Sequence, residues 1–495
     1  MTTRGSGVRI SKVMRQVFGV SELRPGQRAV IDAVLAGQHT LAIMPTGAGK
    51  SLCYQVPALL MPGMTVVVSP LIALMRDQFD KLSELGLEAV QINSAIPVGE
   101  IRRARARIGR RAVEFVFTTP EQLAGRDLRP LLGRDAVDLV VIDEAHCISQ
   151  WGHDFRPAYL DAFSRLSAFG SPTILALTAT ATPDVIADIE RQLGVGSLRV
   201  INTGTHRPNL SYQVRPVSSD ADKQRQLVDI VRRATGSTIV YTATVRHVDA
   251  LHALFRAEGI AATSYHGRQR AQDRAEAQDA FMTGTAPTII ATNAFGMGID
   301  KSDIRTVVHY DLPASLDVYY QESGRAGRDG EPADCILLFQ RRDRGLQRFF
   351  MAGRYPTHDD FVALIEGLRS ASAASAMTVD EIRTVIPSLS ASKLRVMLAA
   401  LKQDGLIRER RGAKYETRPQ LLTASMEPLV AAYEERRQRD QTKLEQMVVY
   451  AQTALCRTHM LLEALGETVE WSQCGTCDNC RGLAVRSEAV AVGAA

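Results

Sequence analysis

From about Thr40 to Thr178, short apolar and β-branched runs alternate with helical stretches. The runs are Leu41–Met44, Thr65–Ser69, Glu114–Thr118, Leu139–Asp143 and Ile174–Thr178. Continuous apolar strands separated by helices read as a parallel sheet covered on both faces. The pattern then restarts with Thr238–Tyr241, Thr263–Tyr265, Thr288–Thr292, Thr306–Tyr310 and Cys335–Phe339. Two tandem α/β domains are the simplest reading, and His206-Arg207-Pro208-Asn209 falls near their join.

After about Arg344 strand runs become rare. Thr378-Val-Asp-Glu381 matches a capping box and predicts the start of a short helix. Ser390 is placed to cap a second helix, with Leu394, Leu398 and Leu401 on its apolar face and Gly405 at its end. Leu406–Arg410 and Lys414–Thr417 flank Arg411-Gly412-Ala413 and predict a basic hairpin. Helix, helix, hairpin is a winged-helix order, with a plain helical linker as the alternative. Residues from about Glu427 to Leu465 read as one long helix, followed by a polar, small-residue tail. The implied partition is 1–205 and 206–343 for the two α/β domains, 344–425 for a linker helix and winged-helix-like domain, 426–482 for a cysteine-bearing module and 483–495 for the tail.

Composition narrows the class. A chain of 495 residues exceeds what one core usually sustains. Hydrophobic residues at 45% and charged residues at 23% are ordinary for a globular protein. A net charge of +5 with a pI near 8.8 permits a nucleic-acid partner without demanding one. No apolar run of ~20 residues predicts a membrane span, and the first residues lack the apolar core of a signal peptide. The expected location is cytoplasmic, nucleoid-associated in a bacterium.

Of the seven cysteines, Cys53, Cys147 and Cys335 stand alone, whereas Cys456, Cys474, Cys477 and Cys480 cluster. A reducing compartment with one metal site fits this better than a disulfide framework. Four thiolates at such short spacing suit tetrahedral Zn²⁺, with Cys456 projecting from the long helix. His459 could replace a thiolate, but four cysteines already fill the shell. A closed shell leaves no position for a reacting water, so the role expected is structural.

Met44-Pro-Thr46-Gly47-Ala48-Gly49-Lys50-Ser51 follows a strand and precedes a helix. Met44 stands where the strict phosphate-loop pattern has its first glycine, but the part that does the work is kept. Small residues let backbone N–H groups curl around phosphate, Lys50 can reach the β- and γ-phosphates, and the Ser51 hydroxyl can join a Mg²⁺ shell. A glycine turn between strand and helix is the bland alternative. The strand 140–142 then ends in Asp143-Glu144-Ala145-His146. Asp143 is placed to hold Mg²⁺ and Glu144 to polarise an attacking water; a strand end with solvated acids is improbable downstream of such a loop. In the second domain, Arg325 and Arg328 lie three apart in Gln-Glu-Ser-Gly-Arg-Ala-Gly-Arg-Asp-Gly. Both can reach one anion, and an arginine supplied across a cleft stabilises transition-state charge. A surface salt-bridge cluster is the commoner fate of an isolated arginine pair.

These motifs together resemble the superfamily 2 helicases and, more narrowly, the RecQ family of DNA helicases. The likeness runs from about Phe18 to Phe339 and resumes at the cysteines. It rests on Leu23-Arg24-Pro25-Gly26-Gln27, MPTGAGKSLCY from Met44, Ser69–Gln78, Thr118–Leu123, Leu177–Ala181 and Ala291–Asp300, and most specifically on Cys147-Ile-Ser-Gln-Trp151-Gly-His153-Asp-Phe155-Arg156-Pro157. The resemblance implies two RecA-like domains, an adenine contact from Gln27 with Arg24 nearby, and ATP, Mg²⁺ and Zn²⁺ as cofactors. It further implies 3′-to-5′ unwinding of DNA, in recombination and repair, at single strands and duplex junctions. In the family the aromatic-rich loop couples strand binding to hydrolysis. Trp151 and Phe155 offer stacking faces and Arg156 charge, although Phe155 reads equally well as core. The order departs from the family, whose zinc module precedes its winged helix. An RNA-directed or strand-annealing ATPase is the alternative enzyme, since no motif here reports on the 2′-hydroxyl. A winged-helix DNA-binding regulator with a vestigial nucleotide switch is the alternative of another class.

Overall fold

The computed structural model describes residues 3–125, 128–133, 136–149, 157–163, 169–296, 299, 301–370, 376–410, 414–422 and 424–482. Among them the chain divides into two compact units. One holds residues 1–311, 316–339 and 450–495, the other residues 312–315 and 340–449.

The first unit carries two parallel sheets. The strands of the first are β1 (Thr40–Ile43), β2 (Met64–Val68), β3 (Ala89–Ile92), β4 (Phe115–Thr118), β5 (Val137–Ile142), β6 (Thr173–Thr178) and β7 (Arg199–Asn202), in the order β3-β4-β2-β5-β6-β1-β7. Successive residues enter cores on opposite faces. Val140 and Ile142 join Leu41, Ile43 and Val66 on one face, while Leu139 and Val141 join Ala42, Val67 and Leu175 on the other. Both faces are buried under helices, which is why these strands read as unbroken apolar runs.

The second sheet comprises β8 (Leu210–Pro216), β9 (Ser237–Tyr241), β10 (Ala262–Tyr265), β11 (Thr288–Ala291), β12 (Ile304–His309) and β13 (Ala333–Phe339), in the order β10-β11-β9-β12-β13-β8. Val240, Ile290, Val308 and Ile336 pack there against Leu227, Val231, Leu251 and Phe255 of the covering helices. Together these are the two RecA-like domains that the motifs imply.

The unit of residues 340–449 has its own core, in which Phe361, Leu364, Ile382, Leu394, Leu398, Leu401 and Ile407 are buried together. The capping box forms: the Thr378 hydroxyl accepts from the Glu381 N–H and the Glu381 carboxylate accepts from the Thr378 N–H. Ser390 caps the helix Ala391–Gln403, and Gly405 follows it with φ 70°. β14 (Ile407–Arg410) then pairs antiparallel with β15 (Lys414–Thr417). This is the helix, helix, hairpin order of a winged helix.

One expectation is corrected. The long helix predicted from Glu427 to Leu465 is two helices, Glu427–Gln452 and Arg457–Ala464. Cys456 does not project from the long helix but stands at the N-cap position of the second. The break is held by Asn479, whose side-chain amide donates to the carbonyls of Thr453 and Leu455. Among the described residues no helix is long and apolar enough to cross a membrane.

Candidate functional site

The loop 44–51 leaves β1 at the carboxyl end of the first sheet, where ligands of parallel sheets bind. Gly47 and Gly49 have φ of 86° and 75°, a conformation that suits glycine and turns successive N–H groups to one side. A Cβ on Gly49 would also lie 2.6 Å from Gln27 Nε2. The loop is braced from behind. Gln27 is 2% exposed and donates to the carbonyls of Ala48 (3.0 Å) and Gly49 (2.9 Å). Arg24 donates to the Gly47 carbonyl. Gln27, which the resemblance assigns to adenine, and Arg24 beside it thus also fix the phosphate loop through its carbonyls.

Lys50 Nζ lies 3.1 Å from the Met44 carbonyl. Burial pushes its ammonium below the ordinary value, while Glu144 and then Asp143 pull it back up. The acids stand where β5 ends. Burial and the neighbouring Glu144 raise the Asp143 carboxyl above the usual carboxylate range, against the opposing pull of Lys50. Glu144 sits at φ 50°, ψ 50°, a left-handed conformation that costs a non-glycine residue ~1 kcal/mol or more and collects at functional sites. Its Oε2 is 3.4 Å from His146 Nδ1, which in turn lies 3.1 Å from the Thr178 hydroxyl at the end of β6. Tyr159 donates to the Asp143 carbonyl at 3.0 Å. A lysine and two carboxylates are therefore held at the carboxyl ends of β1 and β5, with β6 between them, next to a loop shaped for phosphate.

The second sheet completes this cleft. Arg325 is 9% exposed and stands beside Tyr241, where a Cβ on Gly296 would lie 2.6 Å from its Nε and 2.7 Å from the Tyr241 hydroxyl. Arg328 reaches the phosphate loop, since a Cβ on Gly47 would lie 3.4 Å from Arg328 Cγ, and its charge lowers Lys50. Thr46, Gly47, Lys50, Asp143, Glu144 and Arg328 are thereby gathered, with Ala48, Gly49 and Ser51 in the same loop, while the Arg325 side chain lies against Tyr241 and Gly296 of its own sheet. Ser69 at the end of β2 and Thr118 at the end of β4 meet through a 3.1 Å backbone bond. Trp151, Phe155 and Arg156 lie outside the described residues.

The four cysteine sulfurs form a second cluster, all within 4.8 Å of one another. Backbone N–H groups point at them: Cys474 N to Cys456 Sγ (3.3 Å), Cys477 N to Cys474 Sγ (3.3 Å) and Cys480 N to Cys477 Sγ (3.5 Å). Burial opposes ionisation of Cys474, yet the neighbouring Thr458 hydroxyl and hydrogen bonds from Thr476 and the Cys477 N–H outweigh it and lower the thiol to about 6. The set fits one tetrahedral Zn²⁺. His459 turns elsewhere, with Nδ1 2.8 Å from the Trp471 carbonyl. The knuckle covers the edge of the second sheet: Asp478 accepts from the Val214 N–H of β8 at 2.9 Å and pairs with Arg457 at 3.0 Å. A sheet edge that would offer free N–H groups is closed this way.

The chain matches three protein families: the DEAD/DEAH box helicases over residues 24–189, the helicase conserved C-terminal domain over 222–330 and the RecQ zinc-binding domain over 415–481. The chain belongs to the RecQ family. Among its RecQ relatives, the ATP-dependent DNA helicase RecQ of Bacillus subtilis is 42% identical over 348 residues, covering 69% of this chain and 58% of that protein. The RecQ helicase of Pasteurella multocida is 41% identical over 335 residues, covering 67% and 52%. The chain thus spans between half and three-fifths of the length of these RecQ proteins. Among solved structures, the Mycobacterium smegmatis helicase Lhr bound to single-stranded DNA and AMP-PNP shares the fold, at TM-score 0.55, 23% identity, 82% of this chain and 60% of that one.

Nothing in the sequence around the join gives Arg207 a task. In the structure its guanidinium lies between the phosphate loop and the arginine turn. The Arg-Pro-Asn run at a domain join was the available signal, since an arginine there has two lobes within reach.

Proposed function

We propose that this protein is an ATP-dependent DNA helicase that unwinds duplex DNA with 3′-to-5′ polarity and serves DNA recombination and repair. The reading is carried by the meeting of Lys50 and the Asp143–Glu144 pair with Arg328, an arginine of the other sheet. The relatives' printed names, ATP-dependent DNA helicase, support the same activity.

In this reading the backbone of residues 46–49 cradles the phosphates and Lys50 binds the β- and γ-oxygens. Ser51 and Asp143 would hold Mg²⁺, which draws charge off the phosphate oxygens. Glu144 orients the water that attacks the γ-phosphorus as its bond to the β,γ-bridging oxygen breaks. Arg325 and Arg328 stabilise the charge that spreads over the transferring group. Gln27 and Arg24 sit toward the adenine. Trp151 and Phe155 stack strand bases and Arg156 meets phosphate, so a bound strand bears on the backbone that carries Glu144. Zinc on Cys456, Cys474, Cys477 and Cys480 is structural.

The test is ATP hydrolysis with and without single-stranded DNA, with unwinding of labelled duplexes bearing either overhang, in DNA and in RNA. Stimulation by DNA with unwinding from 3′ overhangs is expected. Preference for RNA would move the reading to an RNA-directed motor. Hydrolysis indifferent to any nucleic acid would overturn it.

A further inference from the structure

The connector between the two sheets is gripped at several points. Tyr320 donates its hydroxyl to the Thr205 carbonyl at 2.6 Å, and the Thr205 N–H donates to the Glu467 carboxylate. His206 packs on Trp471, with ring centroids 5.2 Å apart. From this fixed base Arg207 reaches into the cleft. Its Nη1 donates to the Thr46 carbonyl of the phosphate loop (2.9 Å) and to the Gly324 carbonyl (3.1 Å). Its Nη2 donates to the carbonyls of Ala326 (2.9 Å) and Gly327 (2.7 Å). Two residues on, Asn209 donates to the carbonyls of Gly327 and Glu331, both at 2.8 Å.

All four acceptors of Arg207 are backbone carbonyls. One belongs to the loop expected to hold phosphate, and three to the turn that carries Arg325 and Arg328. A planar guanidinium with fixed donor directions is suited to setting the distance between two backbone segments, in a way that a flexible ammonium is not. The segments lie close there. A Cβ on Gly324 would come within 3.4 Å of Thr46 Cβ, so the guanidinium bridges a seam with little room for a side chain at position 324.

We propose that Arg207 is a positioning residue for ATP hydrolysis, a latch that fixes the register of the arginine turn against the phosphate loop. It acts through Arg328 and need not touch nucleotide. The proposal rests on the hydrolase reading above. Loss of the latch leaves the loop able to bind nucleotide but misplaces the arginine, and a misplacement of ~1 Å can cost about a hundredfold in rate.

The test compares Arg207→Ala and Arg207→Lys with Arg328→Ala and with the Arg207→Ala/Arg328→Ala double variant, in the full chain. For Arg207→Ala, kcat is expected to fall about tenfold to a hundredfold, with KM and the affinity for a non-hydrolysable ATP analogue little changed. Affinity for ADP–aluminium fluoride, which mimics the transferring phosphoryl group, should fall in step with kcat. Arg207→Lys should recover little, and in the Arg328→Ala background the Arg207 change should cost almost nothing more. Unchanged kcat in Arg207→Lys would overturn the latch. So would a double variant whose losses simply multiply, or a loss of analogue affinity as large as the loss of rate. If Arg207→Ala does not fold, Arg207→Lys decides alone by the same split. A wild-type chain without ATPase activity would instead sink the hydrolase reading.

Discussion

In the nucleotide cleft, hydrogen-bond partners are far apart along the chain. Arg207 bonds to Thr46, 161 residues away, and to Gly324, 117 away, while Gln27 reaches Ala48 and Gly49 across 21 and 22 residues. In the winged-helix unit many of the polar contacts are between neighbours. Thr378 and Glu381 cap each other across three positions, Ser390 caps Lys393 at the same spacing, and Arg410 pairs with Glu416 six residues on. There the long-range glue is mainly apolar, a core from Phe361 to Met426, with a few polar ties such as the 2.7 Å Lys393–Asp360 ion pair beside it. The contrast teaches where damage should appear. Cleft side chains set angles and charges for a reaction, so changes to them should fall on rate. Side chains of the winged-helix unit hold up an apolar core, so changes there should fall on stability.

The sharpest way to break this contrast is at Arg328. Arg328→Ala should lower kcat by ~10³-fold or more, the range of an arginine that stabilises a transferring phosphoryl group, with nucleotide binding and melting temperature close to wild type. A steady-state ATPase assay with a binding titration checks it, and near-normal turnover removes Arg328 from the role. Glu144→Gln comes next, with a fall of about a hundredfold or more. Glutamine keeps the size and the strained backbone position and loses only the charge that orients water. A melting temperature that drops with the rate would mean that the left-handed residue is there for packing alone.

The same contrast explains what could be read in advance. Local signals of the winged-helix unit were legible one by one, from the capping box to the two strands, because each is complete within a few residues. In the two sheets, the strands that bury both faces showed as apolar runs. The three missed strands are sheet edges: β3, only four residues long and carrying Gln91; β7, mostly exposed; and β8, which alternates before reaching Arg215. An edge strand lacks one neighbour, and its composition relaxes accordingly. The break at residues 453–456 was not legible, because no glycine or proline marks it. It is fixed by Asn479 from the knuckle. Lys50, Asp143 and Arg328 could be picked out as motifs, but nothing local says that the Arg207 guanidinium stands between Thr46 and Gly324.

The zinc knuckle belongs to both halves of the contrast, since it is local in sequence yet closes β8 and grips the connector. Cys474→Ser should therefore lower both zinc content and melting temperature, because structural zinc contributes directly to folding; apparent values of ~10–16 kcal/mol are seen in zinc-finger peptides. ATPase activity should fall as well, by less than in the cleft variants, as Thr205 and Arg207 lose a fixed base. Zinc stoichiometry by mass spectrometry, a thermal melt and an ATPase assay check the three parts. Full zinc with normal melting would rule out the four-cysteine shell.

The smallest expected effect lies at Thr378, and it sharpens the comparison from the other side. The Thr378 hydroxyl accepts from the Glu381 N–H at 3.2 Å, and the Glu381 carboxylate accepts in return from the Thr378 N–H at 2.6 Å. Thr378→Ala removes the first bond, and losing a helix N-cap costs ~1 kcal/mol. The core above it, with Ile382 and Ile386 buried against Leu364 and Leu398, remains, so the unit should still fold and should melt at a lower denaturant concentration. Basal ATP hydrolysis should be unchanged. The pH dependence follows from Glu381, whose carboxyl is held below its ordinary value chiefly by the Thr378 N–H and hydroxyl. A carboxyl with a depressed folded pKa adds stability above the unfolded value near ~4.3 and loses it as pH falls through the folded value. The gap between wild type and Thr378→Ala should therefore be widest near neutral pH and narrow below about pH 4, where protonation weakens the box in both. Denaturant titrations at two pH values, read by a probe within residues 340–449, measure it. A gap that stays constant into acid would assign the cost to the lost side-chain volume of threonine rather than to the reciprocal cap.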